Sequence, residues 1–387
     1  MLMSLVFETQ VAYCVIEVVV QYKPHGQGLD RGVLVGGSYI YFLAYGVKMK
    51  KKKNVEFWNF VCHFGQGKML DYFLDFIYPA LTTERARCYG DSRWFFYDVR
   101  LVEPEFNNQT LPFIYGKLVK DTVLERDQVF EYNQLKIDPL RVQNSPSSIF
   151  ILSLLDHRLF FIKEQKDSPT MDSFKSTILK FIKDVRNERI NDDYNYMKEL
   201  RELNGGSTKV TSKKNLAIQY PEPELEIIPL SSDSDMDEFI RGMRSIDRFS
   251  LDLIMPNSEF DSNDFFSSWR EETKKIGTKK SKINFPKNGK SLPHANVSEL
   301  AKEAIKDENI IITLVGKDLD NDKIIGTNDS FKLTRSLDEI DQVPVFTVKR
   351  IYETFLGLID DGIIRGPKIC DLEKVKEKVK HIVMMIK

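Results

Sequence analysis

Cysteine is scarce here: four in 387 residues. Cys14, Cys62, Cys88 and Cys370 stand far apart, and none share C-x-x-C spacing. That argues against a disulfide framework and against a zinc ribbon, and makes a reducing, cytoplasmic setting the simplest expectation. Charge of one sign is also missing. Lys and Arg number 56 against 57 Asp and Glu, a net charge of -1, so attraction to nucleic acid must come from a local patch. No long apolar run is present. Val15–Val20 is broken by Glu17 and is far too short to span a bilayer, so no membrane partner is expected. A secretory signal would place its positive charges before the apolar run, whereas here they follow it. Nucleotide and hydrolase signatures are absent too. Gly65-Gln66-Gly67-Lys68 lacks P-loop spacing, and no G-x-S-x-G, H-E-x-x-H or dinucleotide fingerprint occurs. No internal repeat is visible, and nothing calls for a cofactor.

What remains is ordinary globular composition, 42% hydrophobic and 29% charged, in a chain long enough for two domains. The first 48 residues differ from the rest. Between Met1 and Val47 only Glu8, Glu17, Lys23, Asp30 and Arg31 are charged, and Met49 is followed by Lys50, Lys51, Lys52 and Lys53. The expectation is that the natural chain begins at Met49 and that residues 1–48 are an upstream extension or an unpacked tail. The alternative is an edge hairpin turning at Gly36-Gly37. The division expected beyond it is an α+β domain over 49–203 and a second over 204–387, with Asn204-Gly205-Gly206-Ser207 as the boundary signal.

Pattern predicts an α+β fold of mixed, mainly antiparallel sheets with packed helices. Strands are expected at Val55–Phe64, Trp94–Val102, Pro112–Val119, Gln128–Ile137 (half-buried), Leu216–Tyr220, Leu225–Leu230, Ser250–Met255 and Ile310–Val315. Short helix is expected at Leu70–Ile77, ending near Pro79. Longer helices are expected at Ser262–Ile276 with Phe265, Phe266 and Trp269 inward, and at Val297–Lys306, Thr347–Ile359 and Asp371–Ile386. The clearest stretch is Ser148–Ile182. Two strands apolar on both faces, Ile149–Leu155 and Leu159–Ile162, reverse at Asp156-His157, as suits the middle of a covered sheet. Ser168-Pro169-Thr170 then reads as a helix start, with Met171, Phe174, Ile178, Leu179 and Ile182 on one face.

The strongest chemical signal is basic. Lys274, Lys275, Lys279, Lys280, Lys282, Lys287 and Lys290 fall within seventeen residues that hold no Asp or Glu, and Gly277, Pro286 and Gly289 make the segment read as loop. Lysines so placed would grip a phosphate backbone as point charges, without base discrimination. The bland alternative is a solvated surface run. Other constellations are weaker. Asp318-Leu319-Asp320-Asn321-Asp322 begins like a calcium loop but has Lys323 at the glycine position, so a hairpin turn is expected. His63, Cys62 and Cys88 lack compact ligand spacing. His157 reads as a turn residue, and Asp252 and Glu259 join no nuclease motif. No catalytic and no metal-binding residue is nominated.

Two resemblances emerge from these residues. Ile149–Leu155, His157-Arg158-Leu159 and Ser168–Ile182 look like the shared element of a bacterial family of unknown function, over roughly Gly116–Ile182. Ser250–Trp269 is similar, over twenty residues, to phage-exclusion proteins of the RexA type, in which a strand of L-D-I-V-I-x-P character leads into a helix. That resemblance implies DNA binding and antiviral defence. The expectation is a non-enzymatic protein that binds DNA or RNA non-specifically through the lysines and acts in anti-phage defence or its regulation. Four phosphate contacts would give a salt slope of about -3.6 on duplex DNA. The alternatives are a metal-dependent nuclease with an unrecognised site and a protein-interaction subunit of a larger defence complex. A homo-oligomer or a protein partner fits the last of these.

Overall fold

The computed structural model describes residues 52–387 except positions 208, 256–263, 279, 339, 342, 368 and 370. Of residues 1–51 it describes four strands only. Two units separate, Met1–Lys51 and Lys52–Lys387. In the first, β1 (Met3–Thr9), β2 (Ala12–Val20), β3 (Val33–Val35) and β4 (Ser38–Phe42) form an antiparallel sheet in the order β1-β2-β4-β3. Val35 pairs with Ser38, so β3 and β4 flank Gly36-Gly37. Met49 and the two glycines lie outside the described residues.

The second unit opens with β5 (Lys53–Phe64) and β6 (Gly67–Lys68). Leu70–Ile77 is indeed helical, as a 3-10 turn followed by a wide π turn. Pro79 does not end that helix. It sits in the first turn of α1 (Tyr78–Thr82), where its missing N–H would have had no partner anyway. Next come β7 (Arg87–Tyr89), β8 (Ser92–Val102), β9 (Glu105–Phe106) and β10 (Gln109–Thr110), the last two forming a small hairpin.

β11 (Phe113–Glu131) is nineteen residues long and returns as β12 (Gln134–Asn144). The expected single half-buried strand at Gln128–Ile137 is therefore wrong: the chain reverses inside it. Tyr132 and Asn133 both adopt positive φ, 50° and 62°, the signature of a tight two-residue hairpin turn. Tyrosine is an unusual residue there, which hid the turn. β13 (Ser147–Ser153) and β14 (Arg158–Lys163) follow. The main sheet runs β15-β5-β14-β13-β11-β8-β7, where β15 is Pro223–Pro229, and every pairing in it is antiparallel.

β13 and β14 sit centrally, and their two faces feed two cores. Phe150, Leu152, Leu159 and Phe161 pack with α2 (Met171–Leu203) through Phe174, Ile178, Phe181 and Ile182. Ile149, Ile151, Phe160 and Ile162 face the other way. α2 starts where Thr170 accepts a bond from Ser173 N, worth about 1 kcal/mol. It runs unbroken through the polar stretch after Lys183. Gly116 lets β11 pass under the Phe150 ring, since a Cβ there would lie 2.6 Å from it.

Leu216–Tyr220 is not a strand. It belongs to α3 (Lys213–Gln219), capped by Ser212. α4 (Asp233–Arg241) and β16 (Met243–Ile254) follow, then α5 (Asp264–Ile276). On α5, Phe266 is buried, whereas Trp269 is half exposed and donates to Ser281 Oγ at 3.1 Å, against the inward position expected for it. The side chain of Phe265 lies outside the described residues. β17 (Lys280–Pro286), α6 (His294–Asp307), β18 (Ile310–Asp318) and β19 (Lys323–Thr327) complete a second antiparallel sheet, ordered β17-β16-β18-β19. Leu251, Leu253, Ile312 and Leu314 pack there with Ala301 and Ala304 of α6. Asp318–Asp322 is a turn, in which Asp318 Oδ1 accepts from the N–H groups of Asp320 and Asp322. β20 (Thr334–Leu337) returns to pair with β5.

α7 (Pro344–Asp360) then covers the second face of the main sheet through Val348, Ile351, Tyr352 and Phe355. α8 (Leu372–Ile386) joins α2 on the first face through Val375, Val379 and Ile382. The two sheets meet at Val61, Ile228, Ile254 and the flanking Ile311. The α+β architecture of mainly antiparallel sheets is as expected. No described helix is long and apolar enough to cross a membrane.

Candidate nucleic-acid interface and a buried charge network

The lysine segment is less of a loop than its glycines suggested. Lys274 and Lys275 close the last turn of α5, Lys280 and Lys282 lie on β17, and Lys287 and Lys290 follow it. Lys279 lies outside the described residues. Among the described residues β17 bonds only to β16, so it is the edge of its sheet, and its lysines alternate outward by the strand's two-residue period. An edge carrying lysine also resists pairing with another chain, which gives these charges a structural use.

Most of the described ammonium groups have carboxylate neighbours. Lys275 meets Glu272 at 2.6 Å, Lys282 meets Asp252 at 3.1 Å and Lys287 meets Asp247 at 2.8 Å. Lys280 pairs with Glu226, which Lys175 also holds at 2.6 Å. Burial would raise the Glu226 carboxyl, but hydrogen bonds from Lys175 and Lys280 outweigh it and hold the group below its ordinary range. Among the described residues, exposed Lys274 and Lys290 have no carboxylate within 4.0 Å. The patch is thus continuous in sequence but largely compensated in space. The compensating acids come from α5 itself, from Asp247 and Asp252 of the neighbouring β16, and from β15 of the other sheet.

A second cluster was not nominated from sequence. At the reversal after β13, His157 is buried with φ 56°, and Asp156 and Arg158 are buried beside it. Asp156 Oδ2 accepts from Tyr352 Oη of α7 at 2.9 Å. Arg158 pairs with Glu308, the left-handed residue that ends α6 at φ 59°. Next to it, Asp307 receives both terminal nitrogens of Arg270 from α5, one at 2.7 Å. Asn59 of β5 donates to Glu308 O at 3.1 Å and to Asn309 Oδ1 at 3.0 Å. This network therefore stitches the main sheet to α5, α6 and α7.

Burial sets its electrostatics. Loss of water, with Arg158 and Lys378 adding positive charge, pushes His157 down to about 3, so it is neutral at pH 7. Burial raises Glu308, against the pull of Arg158. Burial and the Asp156 carboxylate raise Tyr352. The adjoining cavity, lined by Ser231, Lys306, Glu308 and Arg365, holds only about 80 Å³. Ligand pockets run to about 300–1,000 Å³, so the network's evident work is to hold elements together. The signal that could have found it is the D-H-R triplet between two apolar strands, since a reversal inside a covered sheet buries its charges.

Of the other candidates, His63 Nε2 donates to Met255 O at 2.9 Å, Cys62 is buried and Cys88 is exposed. Asp252 is held by Lys282, and Glu259 lies outside the described residues. No group of three His, Cys, Asp or Glu placed to hold a metal occurs among the described residues. In comparisons with known proteins, no protein-family model matches the chain and no curated protein does.

Proposed function

We propose that this protein is a non-enzymatic nucleic-acid-binding protein, acting in anti-phage defence or its regulation as the RexA resemblance implies, and that it contacts the phosphate backbone along the β17 edge. The supporting observation is that a stretch with no acid of its own lies exposed along one sheet edge and its two ends. The more exposed pairs, at Lys275, Lys282 and Lys287, are worth about 0–1 kcal/mol each, so phosphate can compete for those ammonium groups. The displaced carboxylates stay nearby and repel, which leaves Lys274 and Lys290 as the full contacts.

Two such contacts give a slope of log K against log salt of about -1.8 on duplex DNA, shallower than four contacts would give. Fluorescence anisotropy with labelled DNA between low and physiological salt reads that slope. Lys274→Gln and Lys290→Gln should each reduce it by about 0.9. Absence of any binding at low salt would sink the proposal.

The compensation of Lys275, Lys280, Lys282 and Lys287 favours a second reading, a protein-interaction subunit of a larger complex. A stoichiometric protein in native pull-downs, with no DNA retardation, selects it.

A further inference from the structure

Beyond Asp121 the β11–β12 hairpin leaves the main sheet. β11 pairs with β8 as far as Asp121 and with β13 as far as Val119, and from Thr122 onward its only partner among the described residues is β12. The arm is nine residue pairs long, roughly 30 Å. Register assigns its faces. Leu124 pairs with Val142, Arg126 with Leu140, Gln128 with Ile137 and Phe130 with Leu135, and on β11 these are alternate residues. A bulge between Arg126 and Gln128 keeps the two halves in phase. One face therefore carries the apolar side chains of Leu124, Val142, Leu140, Ile137, Phe130 and Leu135, with Arg126 and Gln128 between them on β11. The six apolar side chains are all exposed, from 44% at Leu140 to 85% at Ile137. None belongs to any of the hydrophobic cores.

We propose that this apolar stripe is a dimerisation surface that packs face to face on the same stripe of a second copy of the chain. Three observations select that occupant. The arm's cations already pair within the arm: Arg126 with Asp138, Arg141 with Glu125, and Lys136 with Glu131 at 3.8 Å. No uncompensated cation is left there to select an acidic partner or a phosphate backbone. Apart from Arg126, already paired with Asp138, and the neutral Gln128, the stripe is aliphatic and aromatic, so its best complement is an identical surface brought up by a two-fold axis, residue i on j and j on i. Six such side chains, each about half exposed or more, present roughly 600 Å² per copy. That approaches the ~800 Å² per partner of a standard stable interface. A two-stranded ribbon alone in water is marginal, and stacking two at about 10 Å supplies the missing layer.

This inference is independent of the nucleic-acid reading, because the arm and β17 belong to different sheets. The test is the mass of the full chain in solution, by sedimentation equilibrium at micromolar concentration. The wild type should be a dimer. Phe130→Glu and Ile137→Glu should each weaken it about thirty-fold or more, as loss of a central anchor does. Gln134→Glu, which adds the same charge to the polar face, should leave it intact. Unchanged thermal unfolding of a monomeric variant separates lost assembly from lost folding. A monomeric wild type overturns the proposal, as when an unlike protein covers the stripe. So does a dimer indifferent to Phe130→Glu and Ile137→Glu, or one lost equally with Gln134→Glu.

Discussion

His157 shows most directly how position overrides residue type. In an open turn it would titrate near 6.5, but buried it is pushed down to about 3. Below pH 6.5 the unfolded chain binds a proton that the folded chain refuses. Its contribution is therefore complete above 6.5 and is lost as pH falls towards 3, at up to about 1.4 kcal/mol per pH unit. Urea midpoints measured from pH 7 to pH 4 should fall more steeply for the wild type than for His157→Gln. Glu308 faces a similar constraint. Glu308→Gln leaves the Arg158 guanidinium buried without its counter-charge and should cost about 3–5 kcal/mol, read from denaturant unfolding. Replacing both partners by apolar residues of similar volume should recover most of that loss. Sequence places Asp156-His157-Arg158 at a reversal, correctly. It does not show that α6 and α7, some 150 and 200 residues later, bring Glu308 and Tyr352 to meet it.

Elements were legible where local period and burial agree. β13, β14, the Thr170 cap and the face of α2 follow from alternation and from three-and-four spacing. Phe174 sits under Phe96, Phe150 and Phe161, so Phe174→Ala should cost about 3–5 kcal/mol of unfolding free energy. Legibility failed where residue type and context disagree. Val129 to Ile137 alternates like a half-buried strand, yet it folds back on itself at Tyr132-Asn133 and is exposed. Leu216–Tyr220 is apolar enough for a strand, but Ser212 caps it as a helix whose single buried residue is Leu216. In the lysine segment, glycine and proline suggested loop, while Ile283 and Phe285 on the inner side of β17 anchor a strand.

At the scale of the molecule the two proposed surfaces are separable. Loss of the lysine edge should reduce the salt slope of nucleic-acid binding and leave the sedimentation mass unchanged. Loss of the arm stripe should do the reverse. A protein in which Lys274→Gln and Lys290→Gln change the mass, or Ile137→Glu changes the slope per chain, would have these functions built differently. The long-range returns of β15, β20, α7 and α8 to the main sheet explain why unfolding of residues 52–387 should be one cooperative transition in calorimetry. Two resolved transitions within that span would contradict the shared cores.

By itself the sequence determined the α+β class, the central hairpin, the capped helix and the run of lysines, because each depends on neighbours within about a dozen residues. Tertiary structure alone decided which charges remain uncompensated. Glu226 is about fifty residues from Lys280, and Asp247 and Asp252 are thirty to forty from their lysines, so pairing in space is invisible to a local pattern. It also decided that an apolar stripe stands exposed on the arm. Alternation is the same for a strand against a core and a strand in water, and only the packing around Phe130 and Ile137 tells them apart.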